Sequence, residues 1–299
     1  MKNRNYTLEL KNLFLFEYPQ VRFVEENKSW LKFTNSDTLL YINPSKIHNN
    51  QGWYDLDKSV FEKLIKNNSF SALILDDPGQ TFVISKGKIQ DIFYNESLLE
   101  NEERSSRWMF TIREKENKYY LRLKNKEEDI TSFLNKWDQI SDFNESVNFF
   151  LVQVNELGSK NILKNLTYEH LNWKDTKRDI DHGKVKPGDI LLVYFARQAI
   201  EFKQQLKIIY RVESVSEGNK RFTLTELKNL VGIPYTKIRD AVSDSSLSDS
   251  FRKIGQQGFN IIQISQSDYK SILLFDNEIE PIRQISLDSH PTIWVVRAG

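Results

Sequence analysis

Short apolar runs alternate with polar turns along this chain, and their pattern changes near residue 145. Residues 7–18 alternate loosely and predict a short helix. VRFVE (21–25), SWLKF (29–33) and TLLYI (38–42) read as three strands joined by the polar turns ENK and TNSD. In DLDKSVFEKLIK (55–66), Leu56, Val60, Phe61, Leu64 and Ile65 share one helical face, with Asp55 or Asp57 placed to cap it. FSALILD (70–76) is continuously apolar, as a buried central strand requires. DDPG (76–79) turns the chain into a returning strand, TFVIS (81–85). Residues 88–99 predict a helix and 97–107 a polar loop. RWMFTIRE (107–114) and KYYLRLK (118–124) form a hairpin about KEN. EDITSFLNKW (128–137) predicts a helix that starts near Asp129 and buries Ile130, Phe133, Leu134 and Trp137. This order describes an α+β domain with a mixed sheet.

The polar, turn-rich SDFNESVN (141–148) marks a boundary. FFLVQVN (149–155) opens the second half as a strand, and a mixed loop and helix region covers 156–182. KPGD (186–189) then turns straight into ILLVYF (190–195): Pro187 fixes φ, Gly188 takes the turn, and Asp189 bonds the turn backbone. QLKIIYRVESV (205–215) is a further strand, FTLTEL (222–227) a short extended run, and IPYTKIRDAV (233–242) holds a turn. SLSDSFRKIG (246–255) is a short capped helix, FNIIQIS (259–265) a strand, and SDYKSILL (267–274) a helix capped by Ser267. Short strands curled with small helices predict a compact β-barrel. The expected divisions are 1–143, 147–278, and a linker leading into a truncated further domain at 279–299.

Composition narrows the chemistry. The chain has no cysteine, which excludes disulfides, thiolate zinc sites and cysteine nucleophiles and fits a cytoplasmic location. No run approaches the ~18 apolar residues of a membrane span, so no membrane partner is expected. Net charge is +1 overall, and the excess of positive charge lies in the second half. That permits a local basic groove without demanding one. The four histidines, His48, His170, His182 and His290, lack metal-ligand spacing, and no phosphate-binding or nucleophile-elbow motif occurs. No cofactor, metal site or catalytic residue is therefore expected.

Across 148–275 the sequence resembles the PUA-like superfamily, and within it the EVE and YTH domains that read modified bases. The likeness rests on six segments in order: NFFLVQVN, Trp173, KPGDILLVYFA, LKIIYRV, GIPYTKIRD and FRKIGQQGFNIIQI. It implies a PUA-like barrel that flips one nucleotide into an aromatic pocket, where stacking returns about 1–3 kcal/mol per aromatic. By the same resemblance Trp173 matches the first pocket aromatic and Asn155 the residue that bonds the base edge. Tyr194 and Phe195 pass the pocket on the second strand, and alternation turns one of them toward it. Lys253, Gln256 and Gln257 match a loop that holds a backbone phosphate. The two further tryptophans common in YTH domains are missing, which leaves Phe195, Phe202, Phe222 and Tyr235 as substitutes and points to an EVE-type pocket. Gln153 and Val154 stand where the family often has lysine and serine. The implied partner is DNA carrying a modified base, of 5-methylcytosine type or N6-methyladenine.

The first half opens in the order of the PD-(D/E)xK nuclease core, yet Tyr41-Ile42-Asn43 and Lys46 replace the acid-x-lysine that seats Mg²⁺. It reads as a degenerate nuclease-like fold or another DNA-contacting module. Asp76 and Asp77 read first as a turn. The terminal IWVVRAG (293–299) resembles a run found in Mrr-type restriction endonucleases. The expectation is thus the specificity part of a modification-dependent restriction protein, with a nuclease or NTPase partner. The alternatives are a metal-dependent endonuclease using Asp37 or Asp76, and a methylated-RNA-binding module.

Overall fold

The computed structural model describes residues 5–94, 96, 99–101, 104–169, 182–216, 221–256 and 261–276. The fold is α+β and divides into two units. The first takes residues 5–13 and 23–139, the second residues 14–22 and 140–276.

The first unit holds two sheets. One runs β1 (Phe23–Asn27), β2 (Trp30–Phe33), β3 (Leu39–Ser45), β6 (Ser69–Leu75) and β7 (Thr81–Ser85), with β3 and β6 parallel. The other runs β11 (Glu127–Asp129), β10 (Lys118–Arg122), β9 (Arg104–Lys115), β5 (Gln51–Asp57) and β4 (Ile47–His48), with β8 (Leu99–Asn101) paired to β9. Helices α2 (Lys58–Lys66) and α3 (Lys86–Phe93) complete it, and α1 (Tyr6–Glu17) enters it with its first half. Leu73, Leu75, Phe82 and Ile84 from one sheet and Tyr54, Phe110, Ile112 and Leu121 from the other share a single core with Leu64, Ile89 and Phe93.

Three expectations fail in this unit. The segment 51–57 is a strand, and α2 begins only at Lys58. Gly52, Tyr54 and Leu56 alternate inward, a period of two that the adjoining helical period masked. Strands β8 and β9 occupy much of the expected loop at 97–107. The helix expected over 128–137 is replaced by β11 and the 3-10 turns Thr131–Phe133 and Trp137–Gln139. Asn135 sits at φ +52, its amide donates to Thr81 O at 2.7 Å, and its side chain bonds Gly79 O at 2.6 Å. A left-handed residue bonded across to β7 stops a helix from propagating.

The second unit is built on one six-stranded sheet. Its order is β13 (Thr167–Glu169), β16 (Arg221–Pro234), β15 (Gln205–Val215), β14 (Ile190–Phe195), β12 (Phe149–Val154) and β17 (Ile261–Ile264). Only β12 and β14 run parallel. Among the described residues the pairing runs from β13 at one end to β17 at the other. Helices α4 (Glu156–Asn165), α5 (Tyr235–Ser243) and α6 (Gln266–Phe275) complete it. Strand β16 is far longer than its expected six residues, and the segment 233–242, expected to hold a turn, passes from β16 at Pro234 straight into α5. Ser265, not Ser267, caps α6, through a reciprocal box with Asp268.

Alternation puts two cores on the two faces of this sheet. Phe149, Leu151, Ile190, Leu192 and Tyr194 face one, with α5 and α6. Phe150, Val152, Leu191, Val193 and Phe195 face the other, with α4. A bulge at Lys207 shifts the register, so Leu206 joins the first core while Ile208 and Tyr210 join the second. The KPGD turn forms as expected: Asp189 accepts from Lys186 N at 2.8 Å and Asn148 N at 2.9 Å.

Residues 14–22 complete the first of these cores. Tyr269 donates its hydroxyl to Leu15 O at 2.7 Å, and Lys270 pairs with Glu17. Phe14 and Tyr18 meet Phe143 edge-on at 5.1 and 5.0 Å. The buried Arg211 donates to Pro19 O at 2.8 Å and Val21 O at 3.0 Å. Burial pulls its guanidinium down to about 10, opposed by Glu213, which itself pairs with Arg22.

Candidate functional site

The two parallel strands of the second unit finish side by side. Val154 stands opposite Phe195, and Ala196 N donates to Val154 O at 2.9 Å. Asn155 leaves β12 there with extended backbone, and its side-chain oxygen accepts from Gly158 N at 3.1 Å, capping α4. The residue matched to a base edge is thus an exposed helix cap, whose oxygen is engaged and whose amide nitrogen bonds nothing among the described residues.

The loop Lys253–Gln256 comes to the same strand end. Gln153, paired in register with Tyr194, accepts from Gly255 N at 2.7 Å and donates to Gln256 O at 3.2 Å. Gly255 takes φ +79, where a side chain would be strained. A Cβ there would stand 3.7 Å from the Tyr235 ring, so the glycine lies against that ring. Lys253 and Gln256 are exposed, and Gln256 folds its side chain back to Arg252 O at 2.9 Å.

The aromatic candidates divide between the two faces. Tyr194 is buried, 6.5 Å from the half-buried Tyr235. Burial, and then Tyr235, push the Tyr194 phenol up to about 12. Phe195 and Phe222 are fully buried on the opposite face, Phe195 edge-on to Phe202 at 5.4 Å and Phe222 stacked on Tyr168 at 5.7 Å. These two are core residues. Phe202, at φ +53, is half-buried under Lys207 and lines a cleft of about 270 Å³ with Lys160, Lys164, Glu201, Tyr210 and Glu226. Asn155, Tyr194, Tyr235, Lys253 and Gln256 therefore gather at one strand end, while Phe195, Phe202 and Phe222 belong to the other face. Trp173, Gln257 and the terminal run 279–299 lie outside the described residues.

Sequence reasoning noted Gln153 only as a departure from the family pattern. The signal was present: it is the one polar residue inside the apolar run FFLVQV.

The carboxylates of the first unit do not converge. Asp37 occupies the β2–β3 turn and pairs with Lys32 at 2.7 Å. Asp77 caps the β6–β7 turn, accepting from Gly79 N at 2.7 Å. Strands β3 and β6 run parallel, so Asp37 precedes one end of the pair and Asp76 follows the other. At about 3.3 Å per residue the strands between them span roughly 20 Å, too far for the two to share one ion. Among the described residues no group of three or more metal-ligating side chains occurs.

No protein-family model matches the chain, and no curated protein matches it. Three solved structures are similar in part. Rpa0253 from Rhodopseudomonas palustris is 9% identical with TM-score 0.36, covering 45% of this chain and 97% of its own. Human THYN1, solved in complex with 5-methylcytosine-containing DNA, is 10% identical with TM-score 0.34, covering 45% of this chain and 99% of its own. A mutant form of the ZmASCH protein from Zymomonas mobilis is 7% identical with TM-score 0.27, covering 42% of this chain and 95% of its own.

Proposed function

We propose that the second unit is a PUA-like reader of DNA carrying a modified base. It holds one nucleotide, swung out of the duplex, at the joint end of β12 and β14. The observation that carries this reading is the convergence at that end. A polar strand terminus (Asn155), a partly open ring (Tyr235) and a basic, glycine-bearing loop (Lys253–Gln256) meet where two parallel strands stop. A flipped base needs those three parts: a ring to stack on, a polar group for its edge, and a donor for its phosphate. Trp173 supplies a second ring in this reading.

Fluorescence anisotropy with matched duplexes bearing 5-methylcytosine, N6-methyladenine or no modification tests it. The expected result is tighter binding to one modified duplex. Equal affinity for all three, or no binding at low salt, overturns it. Trp173→Ala is expected to weaken modified-DNA binding by about 1–3 kcal/mol while the protein stays folded. Unfolding instead would make Trp173 a core residue. Competition with matched RNA separates this reading from a methylated-RNA module. In this reading the chain supplies specificity to a nuclease or NTPase partner of a restriction system. Equal plating of phages with modified and plain genomes, with and without the chain, would remove that role.

A further inference from the structure

We infer that Gln153 is a positioning residue for the Lys253–Gln256 loop and sets the geometry in which that loop meets a ligand's backbone. The inference rests on the reading above and adds a residue to it.

Strand β12 is apolar and buried except at Gln153, which is half-buried. A lone amide among Val, Leu and Phe costs stability unless both its polar ends are bonded. Both ends of this amide are bonded: its oxygen accepts from Gly255 N and its nitrogen donates to Gln256 O. A carboxamide has the same donor and acceptor as a peptide unit, so the side chain clamps the loop backbone as a paired strand residue would.

The consequences spread in both directions. Gly255 is fixed at a left-handed φ against the Tyr235 ring, so the clamp also spaces that ring from β12. Gln256 N donates to Lys253 O at 3.1 Å, so fixing Gln256 fixes the turn that carries the Lys253 ammonium. A loop held in one conformation before binding has less entropy to lose on contact.

Two variants and two readouts test this. In the free protein, amide hydrogen exchange at Gly255 reports the clamp without DNA. Gln153→Leu, close in shape and unable to bond, should speed that exchange about tenfold or more. Gln153→Glu keeps the acceptor for Gly255 N but loses the donor to Gln256 O, so it should retain most of the protection at Gly255. In anisotropy, Gln153→Leu should weaken modified-DNA binding about tenfold, and unmodified binding in the same proportion, because the loop meets backbone rather than base. Unchanged exchange overturns the clamp. Faster exchange with unchanged affinity overturns the positioning role. A wild-type protein that binds none of the duplexes removes the function proposed above and the DNA-facing half of this one, and exchange still decides the clamp.

Discussion

The two faces of the six-stranded sheet draw on the same strands and are closed differently. One is covered by α5, α6 and the segment 14–22, and at its edge Tyr194, Tyr235 and the Gly255 loop meet. The other is covered by α4, holds Phe195 and Phe222 in its interior, and opens where Phe202 lines a cleft. Tyr194 and Phe195 are chain neighbours, yet alternation gives one to each face. Adjacent aromatics in a two-sided strand thus cannot line one pocket together, and the lever that selects between them is the register of the sheet.

Substitutions on each face can break or sharpen that contrast. The largest effect belongs to the closed interior. Phe195→Ala is expected to cost about 3–5 kcal/mol of stability in urea denaturation. A loss near zero would mean that the second core is loose and Phe195 free to move. Next come the two partly open rings. Tyr235→Ala should weaken modified-DNA binding by about 1–3 kcal/mol, with Phe202→Ala leaving it unchanged. The reverse outcome would move the site to the cleft beside α4. Smaller still is the dual use of Asn155. Asn155→Ala should cost about 1 kcal/mol through loss of the α4 cap. Asn155→Asp keeps the cap and its stability, so any fall in affinity isolates the contact with a base.

The smallest effect at neutral pH is electrostatic. Burial raises the Tyr194 phenol from its ordinary value of 10.0 to about 12, so the folded state holds that proton more tightly than the unfolded state. The resulting stability is fully present below pH 10 and lost as pH rises toward 12. Tyr194→Phe should flatten the fall of stability over that range in a series of denaturation curves. An unchanged slope would show that other phenols carry it.

The runs that ended as buried central strands were readable because their periods were uncontested. ILLVYF and FSALILD have no competing pattern, and each is a strand as expected. Errors arose where two periods overlap or a long-range bond decides. Leu56 fits the helical face of 55–66 and equally the inward row of β5, and the sheet partner Trp108, far along the chain, settles it. The expected helix at 128–137 has the right apolar spacing. It yields to Asn135, whose bonds to β7 and its turn a local reading cannot see. Within the candidate site, Asn155 and the loop were visible as residue types. Gln153 was not assigned a role, because its partners lie 102 and 103 positions away.

The guanidinium of Arg211 joins carbonyls 190 and 192 positions earlier, which gives the order of synthesis a mechanical meaning. Residues 14–22 leave the ribosome early and must stay in water while more than a hundred later residues emerge and the first unit closes. Only when the sheet around Arg211 exists can that earlier stretch be captured. A fragment beginning at residue 140 would therefore leave the Arg211 guanidinium without these two acceptors, and adding the 14–22 peptide in trans should restore both bonds.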